Sequence, residues 1–332
     1  MQAKALRLVL GAVKTTPIAA IQVESSEMPL HLRREKLAMA YWINLQGQRE
    51  DHPVREVLNE SWETVNKPGK GFAWKIKKLI NETGIESNKF ASVIVTPPIA
   101  PWLLEQPEVD LNVQKEIKGM GEGFNLKAYV KEYIKSLHYS FLQIYTDGSK
   151  NIETGRTGAA FFIPEFQVRK AGRITDGTSV YTAEMVAILM ALEWVYEVRP
   201  DKVIICSDSM AALMSLQSWQ SNRKDILTEI MITLYSIKQI GIITRFIWVP
   251  AHVGIQGNEE VDKMAKESLN MDDPSINIAL SRIEGKQFIL NACNIVWQIY
   301  WDSCQTGRHY YHKMGTSIPV FLEEVCTAFP AL

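Results

Sequence analysis

Apolar positions change their spacing along this chain, and the changes divide it into regions. In LHLRREKLAMAYWINLQG they recur at helical intervals, with Pro29 ahead of the run and Gly47 behind it as start and stop signals, so residues 3–66 are read as mainly helical. Between 67 and 139 the pattern loosens into a linker with short helices. KPGKG, TPPIAPW and KGMGEGF punctuate it, leaving a basic amphipathic helix at FAWKIKKLINE, an extended run at KFASVIV and a helix over 126–137. From 141 the period shortens to two. Strands are predicted over 141–146, 157–163 and 166–174, with turn-forming residues between them, as in an antiparallel meander. A helix over 181–198, a strand over 202–206, helical sequence over 209–219 and 223–240, a strand over 242–248 and a helix over 257–269 complete the series. The strand KVIIC is apolar on both faces, which marks a central strand covered on both sides. The prediction for 140–270 is therefore an α/β domain, a mixed five-stranded sheet flanked by helices. Residues 271–332 read as a helical extension, with Trp297 and Trp301 four apart on one face for packing.

Composition adds compartment and charge. The 332 residues leave room for more than one domain, and 46% hydrophobic with 22% charged residues belongs to a globular chain. The net charge of −1 hides a gradient, +3 over 1–140 and −2 over each of 141–270 and 271–332. Two bound divalent ions would reverse the sign of the middle region. The four cysteines are too few and scattered for a disulfide scaffold, which predicts a reducing, intracellular setting, cytoplasm or nucleus. Cys304 with His309 and His312 lacks the close cysteine pair that anchors a zinc site. The opening LVLGAV is too short for a signal sequence and is stopped by Lys14, and no apolar run approaches a membrane span.

The candidate chemistry begins in FLQIYTDGSK. An alternating strand pattern reaches Asp147, and Gly148 with Ser149 is expected to turn the chain away, leaving a carboxylate at a strand tip. Glu184 in YTAEMVAI, Asp208 in VIICSDSMAAL, and His252 with Asp262 in FIWVPAHVGIQGNEEVDKMAK follow in order. Each acid alone is an ordinary helix-surface group or cap. Together they supply what phosphodiester hydrolysis needs, several oxygen ligands for two hard divalent ions about 3.5–4 Å apart.

These five motifs, over Ser140 to Leu269, resemble the ribonuclease H domain of reverse-transcribing elements, most closely that of non-LTR retrotransposon polyproteins. The resemblance implies a ribonuclease H-like fold that hydrolyses the RNA strand of RNA–DNA hybrids and leaves 5′-phosphate and 3′-hydroxyl ends. It makes Asp147, Glu184, Asp208 and Asp262 the ligands of two Mg²⁺ ions, with Mn²⁺ as a substitute, and gives His252 proton transfer or product departure. By position, Gly148, Ser149, Thr182 and Asn258 are expected to sense the hybrid's 2′-hydroxyls. Lys150, Arg169, Lys170, Arg173 or Arg223 would contact phosphates. Between Asp208 and residue 242 there is no dense basic helix and loop of the cellular kind, so the hybrid is expected to be gripped largely by a polymerase region outside this chain.

The flanks extend the resemblance. Residues 4–47 are similar to the segment that follows the polymerase core in non-LTR reverse transcriptases, a thumb-side or connection piece, and WQIYWDSCQTG looks like the region just beyond the ribonuclease H domain. No aromatic-x-Asp-Asp motif sits between apolar strands, and the Asp272-Asp273 pair lies in a polar loop, so the polymerase core is expected to be missing and the chain a fragment at both ends. The competing reading is a catalytically silent scaffold or nucleic-acid-binding domain of the same fold.

Overall fold

The computed structural model describes residues 1–49, 51–57, 71–83, 85, 90–93, 95–118, 124–314 and 317–318. The end of the first helical stretch at 58–66, most of KPGKG and the glycines at 119–123 lie outside the described residues. The chain forms two compact units, Met1–Leu45 with Pro53–Ser87 and Gly285–Leu332, and Gln46–His52 with Asn88–Glu284.

The first unit is helical. It contains α1 (Gln2–Leu10), α2 (Ile18–Glu24), α3 (Leu30–Gln46) and α4 (Phe72–Thr83). Helix α3 begins straight after Pro29 and stops before Gly47, and it buries Leu32, Met39, Trp42, Ile43 and Leu45 at helical spacing. On α4 the apolar face is Ala73, Ile76, Leu79 and Ile80. Two of the lysines opposite it are already paired, Lys75 with Glu35 at 3.8 Å and Lys78 with Glu82 at 3.6 Å.

The second unit is built on one mixed sheet. Its strands are β1 (Glu108–Asp110), β2 (Leu142–Lys150), β3 (Thr157–Ile163), β4 (Val168–Ile174), β5 (Lys202–Ser207) and β6 (Ile243–Trp248), in the order β1-β6-β5-β2-β3-β4. Strands β1, β6, β5 and β2 run parallel, and β3 and β4 return antiparallel. The sheet therefore has six strands rather than five. The added one, β1, pairs Val109 with Phe246, and its three residues EVD are too short and too acidic to carry a periodic signal. Among the described residues of KFASVIV, Phe90 bridges Leu280.

Helices cover both faces. They are α5 (Asn112–Ile117), α6 (Leu126–His138), α7 (Val180–Val198), α8 (Met210–Ser218), α9 (Lys224–Gln239) and α10 (Gln256–Ser268). After them come α11 (Arg282–Ser303) and α12 (Arg308–Met314), which from Gly285 on belong to the first unit. One apolar cluster packs the α7 and α9 side, with Val203 and Ile205 from β5; the other packs the α6 and α10 side, with Ile204 and Cys206. Strand β5 is thus buried on alternate residues toward both layers, as its unbroken apolar run requires. Cutting Ile204 or Ile205 back to alanine would leave a cavity there costing about 2–5 kcal/mol. Beyond β4 the chain stays attached to the sheet edge, where Ser275 and Ile276 donate backbone hydrogen bonds to Arg173 O at 2.9 and 3.1 Å. In α11, Trp297 and Trp301 are buried.

Candidate active site

Asp147 does not end its strand. Strand β2 continues to Lys150, paired antiparallel with β3 through Asp147–Ala160, Gly148–Ala159 and Ser149–Gly158. What stops at this level is the other neighbour: the parallel pairing with β5 ends at Thr146–Ser207, and Asp208 then leaves the sheet. The acid is presented where a flanking strand departs, so Asp147 faces a gap in the sheet instead of a turn. Gly148 is required by a close approach. A β-carbon there would lie 2.5 Å from the Glu184 backbone nitrogen and 2.7 Å from Ala183, so only glycine lets β2 lie this near to α7.

That approach brings Glu184 to the strand. Helix α7 is capped by Ser179, whose hydroxyl accepts from Thr182 N at 3.1 Å, and Glu184 points inward in its second turn. Ligand oxygens of Asp147, Glu184 and Asp208 all lie within 4.8 Å of one another, and among the described residues this is the one such cluster of acids, histidines and cysteines. Asp147 and Glu184 are each 6% exposed. Asp208 is held by its surroundings. Its Oδ2 accepts from Asn258 Nδ2 at 3.0 Å, and its backbone carbonyl accepts from Trp248 Nε1 at 3.0 Å.

Burial and mutual repulsion set the electrostatics. Burial first, and then the charges of Asp208 and Asp262, push the Asp147 carboxyl up to about 7. Glu184 is driven well above the usual carboxylate range by burial and by Asp147 and Asp208. Asp208 is raised by burial and Asp262, against the pull of the Asn258 hydrogen bond and His252. The Gly148 N–H opposes the rise at Asp147 and Glu184 but does not cancel it.

The remaining expected site residues are distributed around this centre. Asp262 lies on α10 near enough to raise both aspartates, but its Oδ2 is paired with Lys266 Nζ at 2.7 Å. His252 is exposed, at a positive φ of 54° in the loop before α10. Asn258 is 3% exposed and turned toward Asp208, with its own Oδ1 buried and unpartnered. Ser149 is half-buried on β2. Lys150 sends its ammonium to Thr178 O at 2.6 Å, and burial lowers its pKa.

Thr182 is fully buried, and its hydroxyl donates to Glu284 Oε1 at 2.6 Å while accepting from Arg223 Nη1 at 3.1 Å. Two of the phosphate-contact arginines are likewise turned inward. Arg223, 1% exposed, is clamped by Asp225 and Glu284, and Arg173, 4% exposed, by Asp176 and the Met271 and Asp272 carbonyls. Arg169 is paired with Glu260 and lies over the Phe162 ring, which leaves Lys170 exposed.

Sequence reasoning missed Glu284, although Ser281 and Glu284 form the S-x-x-E pattern of a capping box, and missed Lys266 one helical turn beyond Asp262. Among the described residues no helix is long and apolar enough to cross a membrane. The donor set is all oxygen, and Glu184 Oε2 is buried without any hydrogen-bond partner. A buried carboxylate oxygen left so calls for a cation from outside the chain, and a hard divalent ion fits this set. The RNase H family model matches residues 140–270, the span that carries β2 to β6 and all three clustered acids, and this match supports a ribonuclease H domain over that segment.

Proposed function

We propose that this domain hydrolyses the RNA strand of RNA–DNA hybrids in a Mg²⁺-dependent reaction, with Mn²⁺ as a substitute, as part of a retrotransposon-derived reverse transcriptase polyprotein. The observation that carries the reading is the convergence of Asp147, Glu184 and Asp208 from a strand, a helix and a strand end, with an orphaned carboxylate oxygen among them. When bound there, divalent ions would supply Lewis acidity toward the phosphate and the attacking water. Asp147, Glu184 and Asp208 would hold them, and Asp262 would join by exchanging its Lys266 partner. Asn258 and Trp248 fix the Asp208 segment. His252, exposed on its loop, would move a proton at the departing oxygen or help product leave. Gly148, Ser149 and Asn258 would face the hybrid's minor groove; Lys150 and Thr182 would act there only after releasing their internal partners.

The retrotransposon setting and a polymerase partner are supported by the likeness of residues 4–47 and of WQIYWDSCQTG to the segments that flank this domain in non-LTR polyproteins. Work in the cytoplasm or nucleus fits the scattered cysteines. The test is cleavage of an end-labelled RNA–DNA hybrid by the purified chain with Mg²⁺, beside Asp147→Asn and an RNA duplex. Cutting of the hybrid's RNA alone, lost in the variant, is expected. A folded chain that cuts nothing with either ion would replace this reading with the silent scaffold.

A further inference from the structure

The cations expected to hold phosphate are mostly consumed inside the domain, which raises the question of where a nucleic-acid backbone would lie. Arg173 and Arg223 are buried in ion pairs, Arg169 is paired, and Lys150 donates to a carbonyl. Helix α6, just ahead of the segment matched by the family model, offers the opposite situation. Its buried face carries Val130 and Ile134, and Lys127, Lys131 and Lys135 follow one another at four-residue steps along an exposed flank. No ion pair is formed by any of the three among the described residues. Glu132, the one acid of the helix, sits three residues from Lys135 without pairing to it.

The ridge also has a position. The Lys127 side chain lies against Gly254, where a β-carbon would be 3.4 Å from Cδ and 3.5 Å from Nζ. Gly254 belongs to the loop of His252, which leads directly into α10, whose Asn258 donates to Asp208 at 3.0 Å. One end of the ridge therefore lies against the loop that leads to the acidic centre. At about 1.5 Å per residue its three ammonium groups cover about 12 Å, the rise of roughly three to four phosphates at about 3.4 Å each along one strand.

We propose that Lys127, Lys131 and Lys135 form a backbone-binding ridge that holds one strand of the RNA–DNA hybrid leading out of the active site. The proposal rests on the hydrolytic reading of that site. It assigns to α6 the phosphate contacts that the buried arginines do not make. Unpaired lysines of this kind bind without sequence preference and release counterions when they do.

Binding of a fluorescent RNA–DNA hybrid is to be measured by anisotropy over a series of salt concentrations. The full chain with Asp147→Asn serves as parent, so that nothing is cut. Adding Lys127→Gln, Lys131→Gln and Lys135→Gln, which keep a good helix former, is expected to weaken binding at least tenfold at low salt. The slope of log affinity against log salt should fall by about 2–3. The same three changes at Lys75, Lys77 and Lys78 should leave both unchanged. Equal affinity and slope in the ridge variant and its parent would overturn the proposal, as would an equal loss in the α4 variant. If DNA duplex binds as well as hybrid and the ridge variant loses both, the ridge stands and the hybrid reading fails.

Discussion

Two sets of buried acids lie along helix α7, and the chain treats them in opposite ways. At the N-terminus Glu284, 5% exposed, accepts from Ser179, Thr182, Ser281 and Arg223, and these partners hold its pKa below the usual carboxylate range despite burial. Two residues past Thr182, Glu184 is equally buried, has an oxygen with no partner and is driven the other way. Burial is the same, so the partner decides. A guanidinium and a helix N-terminus favour the charged form of one carboxylate and make it a structural tie. Three carboxylates without a cation make the other a site that a metal ion would complete.

The sharpest way to break this contrast is to remove one member of each set. Asp147→Asn should abolish hybrid cleavage while leaving the metal-free fold at least as stable, because it relieves repulsion among like charges; hybrid cleavage and urea unfolding in chelator would both be read. Arg223→Leu should do the reverse, costing about 3–5 kcal/mol of stability by stranding a buried Glu284, seen as a lowered urea midpoint. If Arg223→Leu were neutral, the tie at the head of α7 would not be structural.

A smaller effect is expected at the residue that links the site to its support. Asn258→Ala removes the hydrogen bond that orients Asp208, and cleavage or metal affinity should drop about 10–100-fold with the melting temperature nearly unchanged. A loss confined to substrate affinity would make Asn258 a substrate contact instead.

The gentlest probe is pH. Asp147 is raised in the fold, so between its ordinary value of about 3.9 and about 7 the native state binds more protons than the unfolded chain. Its contribution to metal-free stability is complete at the acid end and lost as pH rises through about 7. Glu184 and Asp208 act in the same direction. Glu284 has the opposite sign: its contribution is present above the normal carboxylate range and disappears as pH falls. Unfolding in chelator across pH 5–8 should therefore show a decline that Asp147→Asn flattens, and Mg²⁺ should stabilise the parent more as pH rises and the acids release protons. A parent profile no steeper than that of Asp147→Asn would contradict the coupling of these acids.

Much of this was legible in the sequence. The helical period of α7, α9 and α10, the doubly apolar β5 and the order of the acids are local properties, written in residues a few positions apart. They fixed the α/β class and named Asp147, Glu184 and Asp208. Gly148 was misread for a physical reason: Asp-Gly-Ser is good turn chemistry, and nothing local says that the glycine's purpose is to admit a helix 36 residues later in the chain.

What tertiary structure alone decided is which polar groups are already taken. Arg223, Arg173, Thr182 and Lys150 look like free donors along the chain, yet each is committed to a partner that the sequence places elsewhere, Glu284 among them. The short β1 likewise exists only because β6 offers it an edge. Periodicity reports the backbone's neighbours within a turn or a pleat, so it reveals elements and the acids they carry. Whether a charge is buried and paired depends on residues tens of positions away, and only the folded chain brings those together.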